Sequence, residues 1–435
     1  MATLLRLATA GSVDDGKSTL VGRLLYDSKS VLTDQLDAVA RVSRDRGLEQ
    51  TDLALLTDGL RAEREQGITI DVAYRYFATA RRTFILADCP GHVQYTRNTV
   101  TGASTADVVV LLVDARKGLL EQTRRHLAVA SLLRVPHVLV AVNKIDLVGF
   151  DEDVFTRLAA DVTAAATELG IADVRTIPVS ALDGDNVVER SDRTPWYGGP
   201  SLLELLETLP AGTDPATETF RFPVQTVLRP QDAARDVTLR DYRGYAGQIA
   251  AGVVRVGDGV VALPSGRSST VVAIDTADGP LDVAFAPQSV TLRLADDIDV
   301  ARGDLLAAAD DPPSTTQDLW GTVCWLSDRP LRAGSRVLVK HTTRTVQAVV
   351  REVDGLLDLD TATVGPADQL ELNDIGQVTL RLAAPIAAEE YVVARRTGAF
   401  LVIDAHDGAT LAAGMVGDPL TAARCPGARP VQYAI

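Results

Sequence analysis

Gly11-Ser12-Val13-Asp14-Asp15-Gly16-Lys17-Ser18-Thr19 fits the pattern G-x-x-x-x-G-K-[ST], and the first half of the chain is read outward from it. An apolar run, Leu4 to Ala8, precedes it, and a helical-looking run, Leu20 to Tyr26, follows. Strand, loop and helix in that order turn the pattern into a phosphate-binding prediction. Glycines at 11 and 16 let the backbone curl so that successive N–H groups face an anion, and the next helix adds its positive dipole end. Lys17 is expected to reach the β- and γ-phosphates of a nucleotide, and the Ser18 hydroxyl to coordinate Mg²⁺.

A polar segment, Asp27 to Arg64, then carries apolar residues at helical spacing: Leu32, Leu36, Val39 and Val42, followed by Leu53, Leu56 and Leu60. It leads into Glu63-Arg64-Glu65-Gln66-Gly67-Ile68-Thr69-Ile70. Thr69 is expected to serve as a switch threonine, with its hydroxyl on Mg²⁺ and its N–H on the γ-phosphate. Ile70 to Phe77 and Thr83 to Ala87 read as a hairpin at a sheet edge. The second run ends in Asp88-Cys89-Pro90-Gly91-His92, a D-x-x-G switch. Asp88 is expected to hold Mg²⁺ through water, and the Gly91 amide to meet the γ-phosphate. His92 is expected to be the catalytic residue that orients the attacking water.

Val108 to Val113 and His137 to Val142 read as buried strands, with a helix over Gln122 to Arg134 between them. The second strand runs into Asn143-Lys144-Ile145-Asp146, an N-K-x-D motif. The Asp146 carboxylate is expected to accept from guanine N1–H and the 2-amino group, a donor pair that adenine lacks. A site built for those bonds rejects a ligand that leaves them unmade. Asn143 and the Lys144 stem would frame the base. A helix over Glu152 to Leu169 and a strand over Val174 to Val179 precede Ser180-Ala181-Leu182, whose backbone is expected to contact the guanine carbonyl. These motifs, each at a strand end, imply GTP binding and hydrolysis. They also imply a mostly parallel sheet with helices on both faces.

At 435 residues the chain exceeds one core. Its 46% hydrophobic and 23% charged content is that of an ordinary globular protein. No apolar run reaches a membrane span, and a strand begins too early for a signal peptide, so a cytoplasmic setting is expected. Cys89, Cys324 and Cys425 form neither a disulfide framework nor a zinc pattern, which agrees with a reducing compartment. The net charge of −15 argues against non-specific nucleic-acid binding. Lysine occurs only at positions 17, 29, 117, 144 and 340, with arginine as the default cation. Lys17 and Lys144 fall inside the nucleotide motifs; Lys29, Lys117 and Lys340 read as solvated surface cations.

Pro210 to Thr219 is a linker by composition. Beyond it come short β-rich runs: Phe222 to Leu228, Gly247 to Val253, Ser269 to Ile274 and Ser289 to Leu294. A second break, Ala307 to Gln317, is followed by Thr322 to Leu326, Arg336 to Lys340, Val346 to Val353, Ile375 to Leu382, Glu390 to Ala394 and Phe400 to Asp404. Two small closed β-barrels fit this pattern. The expected domains are 1–210 for nucleotide binding, then barrels over 220–308 and 318–435.

A P-loop GTPase domain followed by two barrels resembles the translational GTPase superfamily. Within it, the chain resembles the large, GTPase subunit of the two-subunit sulfate adenylyltransferase. The resemblance is carried by the P-loop, by Arg23 to Lys29, by Asp58 to Phe77 and by Gln94 to Asn98 with Thr101 to Thr105. It continues through Tyr242 to Gly247, Leu263 to Gly266, Arg396 to Phe400 and Ala413 to Met415, and so spans essentially the whole chain. Members usually carry Thr at the position of Cys89 and often Glu at that of Val93. Cys89 reads as a small buried thiol rather than a redox switch.

The resemblance implies that GTP hydrolysis promotes formation of adenosine 5′-phosphosulfate from ATP and sulfate. Adenylyl transfer would occur in a small PP-loop-type partner subunit. Histidines at 92, 126, 137, 341 and 406 give no H-x-x-H nucleotidyltransferase motif in this chain. The lysine distribution leaves no second P-loop for a fused adenosine-phosphosulfate kinase. Val13 and Ile68 are read as an apolar gate before His92 that waits for partner contact. Two other readings share the nucleotide motifs: an elongation-factor-like carrier of aminoacyl-tRNA or a release factor, and a bare regulatory GTPase. The stretches at Asp14 and Asp15, 58–77 and 242–247 favour sulfate activation.

Overall fold

The computed structural model describes residues 3–31, 33–45, 51–56, 72–92, 96–212, 215–231, 240–359, 361 and 363–419. Thr69, Ile68, Val93 and Cys425 lie outside these residues.

The first unit is an α/β layer structure. In chain order its elements are β1 (Thr3–Gly11), α1 (Lys17–Asp27), α2 (Thr33–Asp45), β2 (Ala73–Ala78), β3 (Arg82–Asp88), α3 (Thr96–Ala103) and β4 (Val108–Asp114). There follow α4 (Glu121–Leu132), β5 (His137–Asn143), α5 (Glu152–Glu168), β6 (Val174–Pro178) and α6 (Leu202–Thr208). The sheet order is β2-β3-β1-β4-β5-β6, and only the β2–β3 pair is antiparallel. That pair is the edge hairpin expected from 70–87.

Every residue of β4 is buried, as are six of the seven in β5. Central parallel strands are covered on both faces, so an unbroken apolar run is what such a position requires. One face packs Leu5, Leu7, Phe84, Leu86, Val110 and Leu112 against α1 and α6 through Leu20, Leu24, Leu202 and Leu206. Each fully buried leucine contributes about 1.5–3 kcal/mol. Local signals fix the helix starts. The Asp151 carboxylate accepts from the amides of Asp153 and Val154 at 2.8 and 3.0 Å, and Ser201 with Glu204 forms a capping box on α6. In the polar segment, α2 covers 33–45 and Leu53–Leu56 forms a separate short 3-10 turn.

The second unit contains two closed antiparallel barrels. In the first, Gly259–Leu263, Leu305–Ala308, Arg221–Leu228, Gly244–Gln248, Ser289–Leu294 and Arg267–Thr276 pair in turn, and the last returns to the first. In the second, the circuit is Arg336–His341, Ala399–Ile403, Thr410–Val416, Thr315–Trp325, Ile375–Ala387 and Arg344–Leu357, closed the same way. Closure removes the sheet edges.

Three expected segments are corrected. Gly247 to Val253 straddles two strands, because Gly252 turns with φ of 76° where an added Cβ would lie 2.5 Å from the Phe220 nitrogen. Glu390 to Ala394 is a turn rather than a strand: the amides of Val393 and Ala394 both donate to the Glu390 carbonyl. The second break is shorter than Ala307 to Gln317, since strands end at Ala308 and resume at Thr315.

Candidate functional site

The parallel strands bring Gly11, Asp88, Asp114 and Asn143, and the residues after them, to one edge of the sheet. Ligands of such sheets bind beyond the carboxyl ends of the strands.

Gly11 leaves β1 with φ of 145°, and a Cβ there would press the Leu112 carbonyl oxygen at 3.0 Å. Asp14 and Gly16 take φ of 65° and 93°, which curls the loop before α1 begins at Lys17. The Lys17 Nζ donates to the carbonyls of Gly11 and Ser12 at 2.9 and 2.8 Å. Beneath the loop the Ser12 amide donates to Asp15 Oδ2 at 2.7 Å. Burial lowers the Lys17 pKa and raises that of Asp15, while attraction between the two opposes both shifts. Val13 is 37% exposed at the loop tip, and Ser18 and Thr19 are half-buried on the first turn of α1.

On β3 the Thr9 hydroxyl donates to Asp88 Oδ1 at 2.8 Å, and the Cys89 amide donates to Thr9 Oγ1 at 3.2 Å. Cys89 is fully buried, and burial pushes its thiol far up. It is a packing residue. Pro90 accepts from Thr99 Oγ1 at 3.2 Å. Gly91 is buried against the P-loop, and His92 is exposed directly after it.

Asn143 is the tie between loops. Its Nδ2 donates to the Asp15 carbonyl at 2.7 Å and its Oδ1 accepts from the Ala181 amide at 2.9 Å. Lys144 takes φ of 61°, donates to the Asp14 carbonyl and pairs with Asp114 Oδ2 at 3.0 Å. Ile145 faces the core beside Val142, Phe155 and Leu158, so its side chain is structural. Asp146 is half-buried at the rim. Ser180 is buried and Leu182 is 53% exposed.

The structure thus brings together the P-loop, the Asp88–His92 segment, Asn143 to Asp146 and Ser180 to Leu182. Thr69 alone of the expected ligands lies outside the described residues. The Ser18 hydroxyl and Asp88 carboxylate are hard oxygen donors, which fits Mg²⁺.

Reading the sequence missed several supports. Arg23 Nε donates to the Ala181 carbonyl at 3.4 Å. Asp114 holds Arg116 at 2.7 Å as well as Lys144. Burial would raise this carboxyl, but hydrogen bonds from Arg116 and Lys144 outweigh it and hold it far below the usual carboxylate range. His126 on α4 is buried close to Lys17, and burial followed by that charge lowers its pKa to about 3. A charged residue ending an apolar strand was the available signal for Asp114; nothing in the spacing marked His126.

A family model described as the elongation factor Tu GTP binding domain matches residues 2–212, and one described as GTP-eEF1A C-terminal domain-like matches 320–417. The bifunctional enzyme CysN/CysC of Mycobacterium tuberculosis is 55% identical over 418 residues, spanning 96% of this chain and 67% of that protein. Sulfate adenylyltransferase subunit 1 of Cellvibrio japonicus is 48% identical over 99% of this chain and 89% of its own length. Its counterpart from Laribacter hongkongensis is 51% identical over 95% and 85%.

Proposed function

This chain belongs to the sulfate adenylyltransferase subunit 1 family, and from that premise we propose that it hydrolyses GTP to drive sulfate activation. The products of the coupled reaction are adenosine 5′-phosphosulfate and pyrophosphate, formed from ATP and sulfate at a site in a smaller PP-loop-type subunit. The chain is organised as a nucleotide domain over 1–210 and barrels over 220–308 and 318–435, and works in the cytoplasm. Among the described residues, no helix is long and apolar enough to cross a membrane.

The observation that carries the reading is the packing of Gly91 against Lys17 and the P-loop, which unites two of the nucleotide motifs. Lys17 holds the β- and γ-phosphates, the Gly91 amide meets the γ-phosphate, and Asp146 selects guanine. His92 orients the attacking water, so catalysis is positioning plus charge stabilisation. The Ser18 hydroxyl, Thr69 and, through water, Asp88 would hold Mg²⁺, whose charge would offset that of the phosphates. Sulfate activation is strongly uphill because the phosphosulfate anhydride is a high-energy bond. A second nucleotide hydrolysis gives a thermodynamic reason to attach a GTPase. Coupling runs through switch segments whose order depends on the γ-phosphate and whose surface meets the partner.

The test is to purify the chain with its partner and assay sulfate-dependent pyrophosphate release with and without GTP. GTP stimulation is expected, and a rate indifferent to GTP would overturn the assignment.

A further inference from the structure

A second recess lies beside the guanine end of the site. The loop after β4 and the facing sides of α4 and α5 enclose a cleft of roughly 510 Å³ lined by Arg116, Lys117, Arg124, Arg157, Asp161 and Glu168. Arg116 is paired with Asp114, and the remaining three cations against two carboxylates still leave the cleft locally positive in a chain of net charge −15. Its shape is fixed by Gly118, whose φ is 72° and where a Cβ would press Leu158 Cδ2 at 3.2 Å. Arg157, Asp161 and Glu168 lie along one stripe of α5. At 1.5 Å per residue that stripe is about 17 Å long, the span of a peptide segment rather than of one small anion.

The cleft also touches the nucleotide machinery. Arg116 Nη2 and Lys144 Nζ share a single oxygen, Asp114 Oδ2, at 2.7 and 3.0 Å. The Asp114 side chain is covered by its two cations, and Arg116 is itself 46% exposed, so a group in the cleft can reach the guanidinium and compete with Asp114 for it. A carboxylate that draws Arg116 into the cleft therefore alters the hold on Lys144. Linkage makes the effect reciprocal: nucleotide state changes affinity for whatever fills the cleft.

We propose that this cleft receives a carboxylate-bearing segment of the partner subunit, and that Arg116 relays its arrival to the guanine-binding loop through Asp114 and Lys144. The inference rests on the proposed reading that a partner subunit exists. The test measures the Kd of the full-length chain for the purified partner by calorimetry, with mant-GDP affinity of the isolated chain as the folding control. The variant Arg124→Glu/Arg157→Glu should bind partner at least tenfold more weakly with mant-GDP affinity unchanged; the milder Arg124→Gln/Arg157→Gln should fall by threefold or more. In Arg116→Gln, the change that partner causes in mant-GDP release should disappear. An unchanged partner Kd in both double variants would overturn the proposal, including where they lose self-association instead. A wild-type chain that forms no complex would instead sink the proposed function.

Discussion

Gly91 is packed so tightly against Lys17 that an added Cβ would collide with the lysine Nζ, and would also lie 2.6 Å from the Gly11 carbonyl oxygen. The lysine tip could swing aside, but the Gly11 carbonyl is backbone and already accepts from Nζ. Gly91→Ala must therefore push β3's end away from the P-loop. Overpacking of this kind costs about 1–3 kcal/mol, or about 5- to 150-fold in affinity. Titration with mant-labelled triphosphate should show that loss; affinity within twofold of wild type would mean the loop yields freely.

Asn143 makes a different demand. It bridges the Asp15 carbonyl and the Ala181 amide, and all three groups are buried. Asn143→Ala leaves two backbone groups unpaired, at about 1–3 kcal/mol each. The nucleotide unit should melt at a lower temperature and release mant-GDP faster. An unchanged melting temperature would show that neighbouring loops re-satisfy both groups.

Much of this was legible because burial on two faces writes itself into the sequence. Val108 to Val113 and His137 to Val142 appear as strands within a residue of their expected ends, since no polar residue can interrupt a covered central strand. The motif residues were legible because phosphate binding demands particular backbone turns and donors. What stayed hidden depends on long-range contact. Asn143 meets Ala181 across 38 positions, and Arg221 meets Glu389 across 168. Tyr391 and Val393 look like a strand's alternation, but Tyr391 is buried while Val393 is 73% exposed on a turn.

Arg221 and Glu389 tie the two barrels together. Their side chains are 5% and 13% exposed, with nitrogen–oxygen distances of 2.8 and 3.1 Å. Glu389→Ala leaves a buried guanidinium whose other acidic partner among the described residues, Asp311 at 3.5 Å, is 66% exposed. Loss of about 3–5 kcal/mol is expected by urea unfolding. Arg221→Met with Glu389→Leu should recover much of it, because the charge needing compensation is gone. A double variant as unstable as the single would show that the barrels need the ion pair itself.

His126 sets an acid limit on the nucleotide unit. Burial, and then the nearby Lys17 charge, keep its imidazole neutral down to about pH 3, whereas in the unfolded chain it titrates near 6.5. Above pH 6.5 both states are neutral and the residue contributes no pH dependence. Below it the unfolded chain binds a proton that the native chain refuses, so stability falls as pH falls, by up to about 1.4 kcal/mol per unit. The fall continues until the native histidine titrates as well. His341 is buried and shifted the same way, but it stands in both proteins and cancels in a comparison. Urea midpoints of wild type and His126→Gln should therefore diverge in slope between pH 6.5 and 4.5, with the variant flatter. Parallel lines, with or without an offset from lost packing, would mean that the native fold accepts the proton beside Lys17 after all.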